Sequence, residues 1–336
     1  MQRICIRQVA VLGAGTMGAQ LAATCANAGC NVLLFDLKHE QQSIAEVACA
    51  RLHTLKPEPL TSVSNLKRIS ACNYTDHLER IKECDWVIEA VAESMDIKQQ
   101  VYQLICPVLA PHALITTNTS GLSIQTLAKA LPESVQPRFF GTHFFNPPRY
   151  LPLVECIFHP STDHTQANQL NDFITDRLGK EVLMAPDSPN FIANRVGLFS
   201  LLLTAHNAVR LNIPLEVVDV LTGPLLKRPK SATFRTADVV GLDILAHATQ
   251  TAHGIADDPW HDIYQLPTFM RSLIEQSNLG QKSGRGIYHK TDAGIAVYDC
   301  ALADYRPKSK KPPFLLMRTL KQQDLARLFA KCSRSN

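Results

Sequence analysis

The sequence predicts an α/β fold, a mostly parallel sheet covered on both faces by helices, followed by a helical domain. Two patterns carry this. Short apolar runs of strand length alternate with helical stretches from Val9 to Ile157, and from Pro186 onward the chain is helix-patterned with few strand signals. A length of 336 residues with 46% hydrophobic side chains fills more than one core and excludes a disordered or collagenous chain.

Val9-Ala10-Val11-Leu12 is the first strand, stopped by glycine, and the small-residue stretch 19–28 is the first helix. The run 32–35 ends a second strand at Asp36. Further strands are expected at 86–91, 113–117, 139–144 and 151–157, with helices near 97–109 and 123–131. The change of texture at Pro186-Asp187-Ser188-Pro189 places a boundary there, giving residues 1–186 as one domain and 187–300 as a second. The longest helix candidate, 190–211, opens the second domain. Residues 301–336 read as a basic linker and tail: 306–313 is Pro- and Lys-rich, and 314–330 has apolar residues at helical spacing.

Net charge is +4, but residues 306–336 hold nine Lys or Arg and one acid, Asp324, so the tail is +8 and the rest −4. The basicity therefore marks no folded nucleic-acid face, and no RNA or DNA motif is present. The uncharged apolar stretches are broken by Pro, Asn and Gly or are too short to span a bilayer. The N-terminus lacks the pattern of a secretory signal. Ten scattered cysteines without a Cys-x-x-Cys pair fit reduced thiols in the cytoplasm and no metal site.

Gly13-Ala14-Gly15-Thr16-Met17-Gly18 is a G-x-G-x-x-G between a strand and a helix. Glycine there permits a sharp turn and lets a pyrophosphate approach the helix N-terminus. A ligand-free turn would show the same motif, but Asp36 closes the next strand 18 residues after Gly18, where a carboxylate accepts from ribose hydroxyls and repels a 2′-phosphate. The pair points to a dinucleotide, NAD rather than NADP. His143 and Glu155 both end apolar runs joined by a Pro-rich connection, so a hairpin-like return brings carboxylate to imidazole. Taken singly, each also has a structural reading, as a core histidine and an edge-strand charge.

Together with Val87-Ile88-Glu89-Ala90-Val91-Ala92-Glu93, Ile97-Lys98, Asn118-Thr119-Ser120, His143-Phe144-Phe145-Asn146-Pro147, Leu153-Val154-Glu155 and Phe191 to Arg195, these residues resemble the 3-hydroxyacyl-CoA dehydrogenase family over about residues 7–290. The resemblance implies an N-terminal Rossmann-like NAD-binding domain followed by an all-helical C-terminal domain that commonly mediates dimerisation. It implies NAD-dependent oxidation of (S)-3-hydroxyacyl-CoA to 3-ketoacyl-CoA, as in fatty-acid β-oxidation. His143 would be the acid/base group, Glu155 its orienting partner, and Ser120 and Asn194 the polar groups around the reacting oxygen. The implied cofactor set is Gly13, Gly15, Thr16, Met17, Gly18, Asp36, Glu93, Lys98, Ser120, Asn146 and Lys282. Ser120 and Asn194 also read as capping residues, and Lys98 and Lys282 as solvated charges.

Two departures stand out. Pro189-Asn190-Phe191 replaces the usual Pro-Gly-Phe, and asparagine tolerates the left-handed geometry such a turn needs. Gly223-Pro224-Leu225-Leu226 replaces a Gly-x-Pro-Met-Gly-Pro segment and looks more like the dehydrogenase part of bacterial multifunctional fatty-acid oxidation enzymes. There an enoyl-CoA hydratase part follows it; no segment of that length remains here, so an excised or naturally short dehydrogenase portion, or a separate hydratase partner, is the expectation. A dehydrogenase of a small hydroxy acid and a non-catalytic NAD-binding structural relative are the alternatives.

Overall fold

The computed structural model describes residues 4–38, 43–255 and 258–309. They form two compact units, the first ending at Asn194 and the second beginning at Arg195.

The first unit is built on an eight-stranded sheet of order β3-β2-β1-β4-β5-β6-β7-β8. Its strands are β1 (Gln8–Leu12), β2 (Asn31–Asp36), β3 (Ile69–Asn73), β4 (Trp86–Glu89), β5 (Leu114–Thr117), β6 (Phe139–Phe144), β7 (Leu153–Ile157) and β8 (Glu181–Ala185). The central strands are almost wholly buried because both faces are covered, which is why they read as unbroken apolar runs. Alternate residues divide between the two cores. Val9, Val11, Trp86, Ile88 and Phe140 pack with α1 (Thr16–Asn27), α2 (Ile44–Arg51) and α5 (His164–Leu178). Ala10, Leu12, Val87, Ile115 and Phe139 face α3 (Met95–Ile105) and α4 (Ile124–Ala128).

All neighbouring strands are parallel except β6 and β7, which pair antiparallel and set His143 opposite Glu155. Two edge strands, β3 and β8, were not expected. Both are short, and β8 leaves Leu183 and Met184 exposed.

The unit boundary falls eight residues beyond the expected position at 186, and side-chain chemistry gives the reason. Asp187 caps α4, accepting from Ser123 Oγ and the N–H groups of Ile124 and Gln125 at 2.8–2.9 Å. The next turn then runs through left-handed Asn190 (φ 61°) and Phe191 (φ 49°), so the conformation expected of asparagine is adopted. Phe191 is buried in the α3–α4 core.

In the second unit, α6 (Ala193–Arg210), α7 (Leu215–Thr222), α8 (Phe234–Val240), α9 (Leu242–His253) and α10 (Thr268–Glu275) enclose a core of Leu198, Leu202, Leu215, Phe234, Met270 and Leu273. The helical expectation holds to residue 287. Beyond it, β9 (Tyr288–Thr291), β10 (Gly294–Asp299) and β11 (Asp304–Pro307) form an antiparallel sheet. The description as all-helical, and the start of a linker at 301, are therefore corrected. Val297 and Tyr298 bury into the helical core, and Arg306 forks between Glu216 at 2.7 Å and Asp299 at 2.6 Å. The remaining tail reading, residues 310–336, lies outside the described residues, as does Cys332. The nine described cysteines are free thiols, five of them buried.

Candidate active site

Alternation along β6 and β7 puts the paired residues His143 and Glu155 on one face, close enough for direct contact. His143 Nδ1 lies 2.8 Å from Glu155 Oε2, with His143 3% exposed and Glu155 not at all. The other carboxylate oxygen, Oε1, accepts from the N–H groups of Ile192 at 2.9 Å and Ala193 at 2.7 Å. Burial works to raise the Glu155 carboxyl, but the hydrogen bonds from His143, Ala193 and Ile192 outweigh it and hold it below the usual carboxylate range. An ionised Glu155 can only accept, so His143 Nδ1 carries the proton and donates it to Oε2, which leaves Nε2 as the ring's acceptor. Phe145 and Phe191 wall the imidazole, with ring centroids at 4.4 and 5.6 Å.

The strand ends beside this pair are held by polar side chains. Asn118 Oδ1 accepts the Phe144 N–H at 2.9 Å, tying β5 to β6. Ser120 is exposed on the loop after β5, and its N–H donates to Glu93 Oε1 at 2.8 Å, as do Thr119 Oγ1 at 2.6 Å and the Gly121 N–H at 3.2 Å. Burial acts to raise the Glu93 carboxyl, yet Lys98 and these donors hold it low. Lys98 is buried rather than solvated, 2.7 Å from Glu89 and 3.4 Å from Glu93. Asn146, exposed just beyond β6, receives Gln20 Nε2 from α1 at 3.1 Å. Asn194 stands half-buried in the first turn of α6, directly after the two N–H donors to Glu155.

The glycine turn fits a dinucleotide. Gly13 has φ +99°, and a Cβ there would lie 2.6 Å from Ala90 O; a Cβ on Gly18 would lie 1.8 Å from Gly13 O. Both positions need glycine for the close passage of turn, strand and helix. At Gly15 a Cβ would meet nothing within 4 Å, so its backbone faces open space at the N-terminus of α1. No side chain caps that helix, and Gly15 and Thr16 are exposed with Met17 half-buried, leaving first-turn N–H groups for an anion. Asp36 ends β2 with Oδ2 2.6 Å from the Ala14 N–H, so its carboxylate stands against the glycine turn.

The first unit thus gathers every residue expected at the site except Lys282. Lys282 belongs to the second unit, where it is exposed and paired with Asp243 at 2.6 Å. Four contributors escaped sequence reasoning: the Ile192 and Ala193 N–H groups, Phe145 and Phe191. Backbone donors carry no side-chain signal, and the phenylalanines read as ordinary core. No described helix is long and apolar enough to cross a membrane. Nor, among the described residues, does any group of three or more His, Cys, Asp or Glu stand together to hold a metal ion.

Comparison with known proteins gives the same outline. Residues 8–188 match the family model for the 3-hydroxyacyl-CoA dehydrogenase NAD binding domain, and 191–290 match the C-terminal domain of that family. A probable 3-hydroxyacyl-CoA dehydrogenase of Bacillus subtilis is 38% identical over 91% of this chain, which spans 41% of that relative's length. A second, from Deinococcus radiodurans, is 37% identical over 85% of this chain and 83% of its own. Among solved structures, (S)-3-hydroxybutyryl-CoA dehydrogenase from Ralstonia eutropha superposes with a TM-score of 0.74 at 30% identity, covering 86% of this chain and all of that one. With both domain models matched in order, and a nucleotide-binding turn and a buried imidazole–carboxylate pair in the first of them, the chain belongs to the 3-hydroxyacyl-CoA dehydrogenase family.

Proposed function

We propose that this chain catalyses the NAD-dependent interconversion of (S)-3-hydroxyacyl-CoA and 3-ketoacyl-CoA in fatty-acid β-oxidation. The observation that carries the reading is the fixed His143–Glu155 pair: an imidazole whose Nδ1 is committed to a carboxylate that is itself clamped by two N–H groups. In the oxidising direction His143 Nε2 takes the hydroxyl proton, and Glu155 stabilises the imidazolium that results. NAD, when bound, supplies the acceptor for the hydride leaving C3. Ser120 and Asn194 hold the reacting oxygen, and Phe145 and Phe191 keep water from the imidazole. Gly13, Gly15, Thr16, Met17, Gly18, Asp36, Glu93, Lys98, Asn146 and Lys282 form the proposed cofactor set.

The β-oxidation setting is supported by a Rickettsia felis relative named a putative fatty acid oxidation complex trifunctional enzyme, 35% identical over 84% of this chain, which spans 40% of that relative. A homodimer through the helical unit, an enoyl-CoA hydratase partner and a cytoplasmic setting belong to the same proposal. Oxidation of NADH in the presence of acetoacetyl-CoA, longer 3-ketoacyl-CoAs and free keto acids tests it. Turnover on the thioesters and not on the free acids is expected. Turnover confined to free acids would make it a small hydroxy-acid dehydrogenase, and tight NADH binding without turnover on either would make it a structural relative.

A further inference from the structure

Glu89 closes β4 with a carboxylate wholly withdrawn from solvent. Each of its oxygens takes two donors. Oε1 accepts from Lys98 Nζ at 2.7 Å and the Val91 N–H at 2.9 Å, and Oε2 accepts from Tyr102 OH at 2.9 Å and Thr117 Oγ1 at 2.7 Å. All its lone-pair directions are used, which is the condition under which a buried carboxylate is tolerated. It does not face solvent, so it contacts no substrate.

Two surfaces hang from this one group. The first is the strand end behind the glycine turn: a Cβ on Gly13 would lie 2.9 Å from Val91 N, the nitrogen that Glu89 holds. The second is the loop after β5. Thr117 Oγ1, while donating to Glu89, accepts the Thr119 N–H at 3.2 Å. Lys98 spans from Glu89 to Glu93 Oε2 at 3.4 Å, and Glu93 Oε1 in turn holds Thr119, Ser120 and Gly121.

We propose that Glu89 is a positioning residue that sets both walls of the dinucleotide crevice, the Ala90–Val91 strand end and the Thr119–Gly121 loop, with Lys98 and Glu93 carrying its influence to the loop. The proposal rests on the dinucleotide reading of the glycine turn. It gives a buried strand carboxylate a role in cofactor binding and makes the buried position of Lys98 part of the same device.

The chemistry of the partners says what removing the charge does. Lys98 and the Val91 N–H only donate, whereas the Tyr102 and Thr117 hydroxyls also accept. In Glu89→Gln the amide oxygen serves the first two and the amide NH2 serves the hydroxyls, so every group keeps a partner and the chain folds. Lys98 then has Glu93 as its one remaining counter-charge. Glu93 turns toward it, and the Ser120 and Gly121 N–H groups lose Glu93 as an acceptor, Gly121 keeping only Thr119 Oγ1 at 3.5 Å.

The test compares wild type with Glu89→Gln by the Kd for NADH, read from its fluorescence, and by amide hydrogen exchange at Ser120 and Gly121 in the unliganded protein. About tenfold weaker NADH binding, with faster exchange at both amides, is expected. NADH affinity within about twofold of wild type together with unchanged exchange would overturn the proposal, whatever the change in Tm. If Glu89→Gln does not fold, Tyr102→Phe, which removes one donor and leaves the ion pair, is read in the same way with an expected loss of about threefold. A wild type that binds NADH but turns over no acyl-CoA contradicts the proposed reaction and leaves this proposal standing; equal NADH binding and equal exchange by wild type and variant contradict this proposal alone.

Discussion

Glu155 is held by one imidazole and two backbone N–H groups, so its charge is worth more folded than unfolded. Its folded pKa lies below the unfolded one. The stability it contributes is therefore present above the ordinary carboxylate pKa and is lost as pH falls through the folded value. Tm measured from pH 7 downward should show wild type well above Glu155→Gln at neutrality and the gap closing below about pH 4. A gap constant down to about pH 3 would contradict the clamp. The glycines separate in the same concrete way. Gly13→Ala puts a Cβ against Ala90 at positive φ and should lower stability by about 2 kcal/mol. Gly15→Ala meets no protein atom, so its Tm should match wild type while NADH binding weakens about tenfold. Equal NADH affinity for Gly15→Ala and wild type would show that no ligand approaches that backbone. The His143–Glu155 pairing was legible because a Pro-rich connection joins two apolar runs, one carrying His143 and the other Glu155. Glu89 was not, since its donors lie 2, 9, 13 and 28 residues away and leave no local mark.

Elements were legible where burial imposes a continuous pattern. β1, β4, β5 and β6 are covered on both faces, and their sequences are nearly unbroken apolar runs. Edges obey no such demand: β3 has an exposed Ser70 and a half-buried Ala71, β8 is mostly exposed, and Asp304-Tyr305-Arg306-Pro307 looks like the start of a linker. The last is a strand because of long-range partners. Arg306 pairs with Glu216, 90 residues away in sequence, and with Asp299 on β10. Removing the guanidinium leaves the buried Glu216 without its counter-charge, so Arg306→Ala should cost about 3 kcal/mol by denaturant titration. A chain ending at Ser309 should keep the wild-type Tm, whereas one ending at Ala303 should lose stability as Arg306→Ala does. Equal Tm for both truncations would return 304–307 to the linker reading.

At the scale of the molecule, composition located two units and side-chain chemistry placed their border. The Pro-rich change of texture at 186 is real, but Asp187 caps α4 and the Ile192 and Ala193 N–H groups reach Glu155, so the segment to Asn194 belongs with the sheet. That segment clamps Glu155 and so fixes the His143–Glu155 pair, on which the proposed reaction depends. The most direct test measures kcat with acetoacetyl-CoA and the Kd for NADH in wild type, His143→Gln, Glu155→Gln and the double variant. His143→Gln is expected to lose about 10²–10⁴-fold in kcat while NADH binding stays within about twofold of wild type, and the double variant should be little worse than His143→Gln alone. Near-wild-type turnover of His143→Gln, or losses of the two single variants that simply multiply, would contradict that expectation.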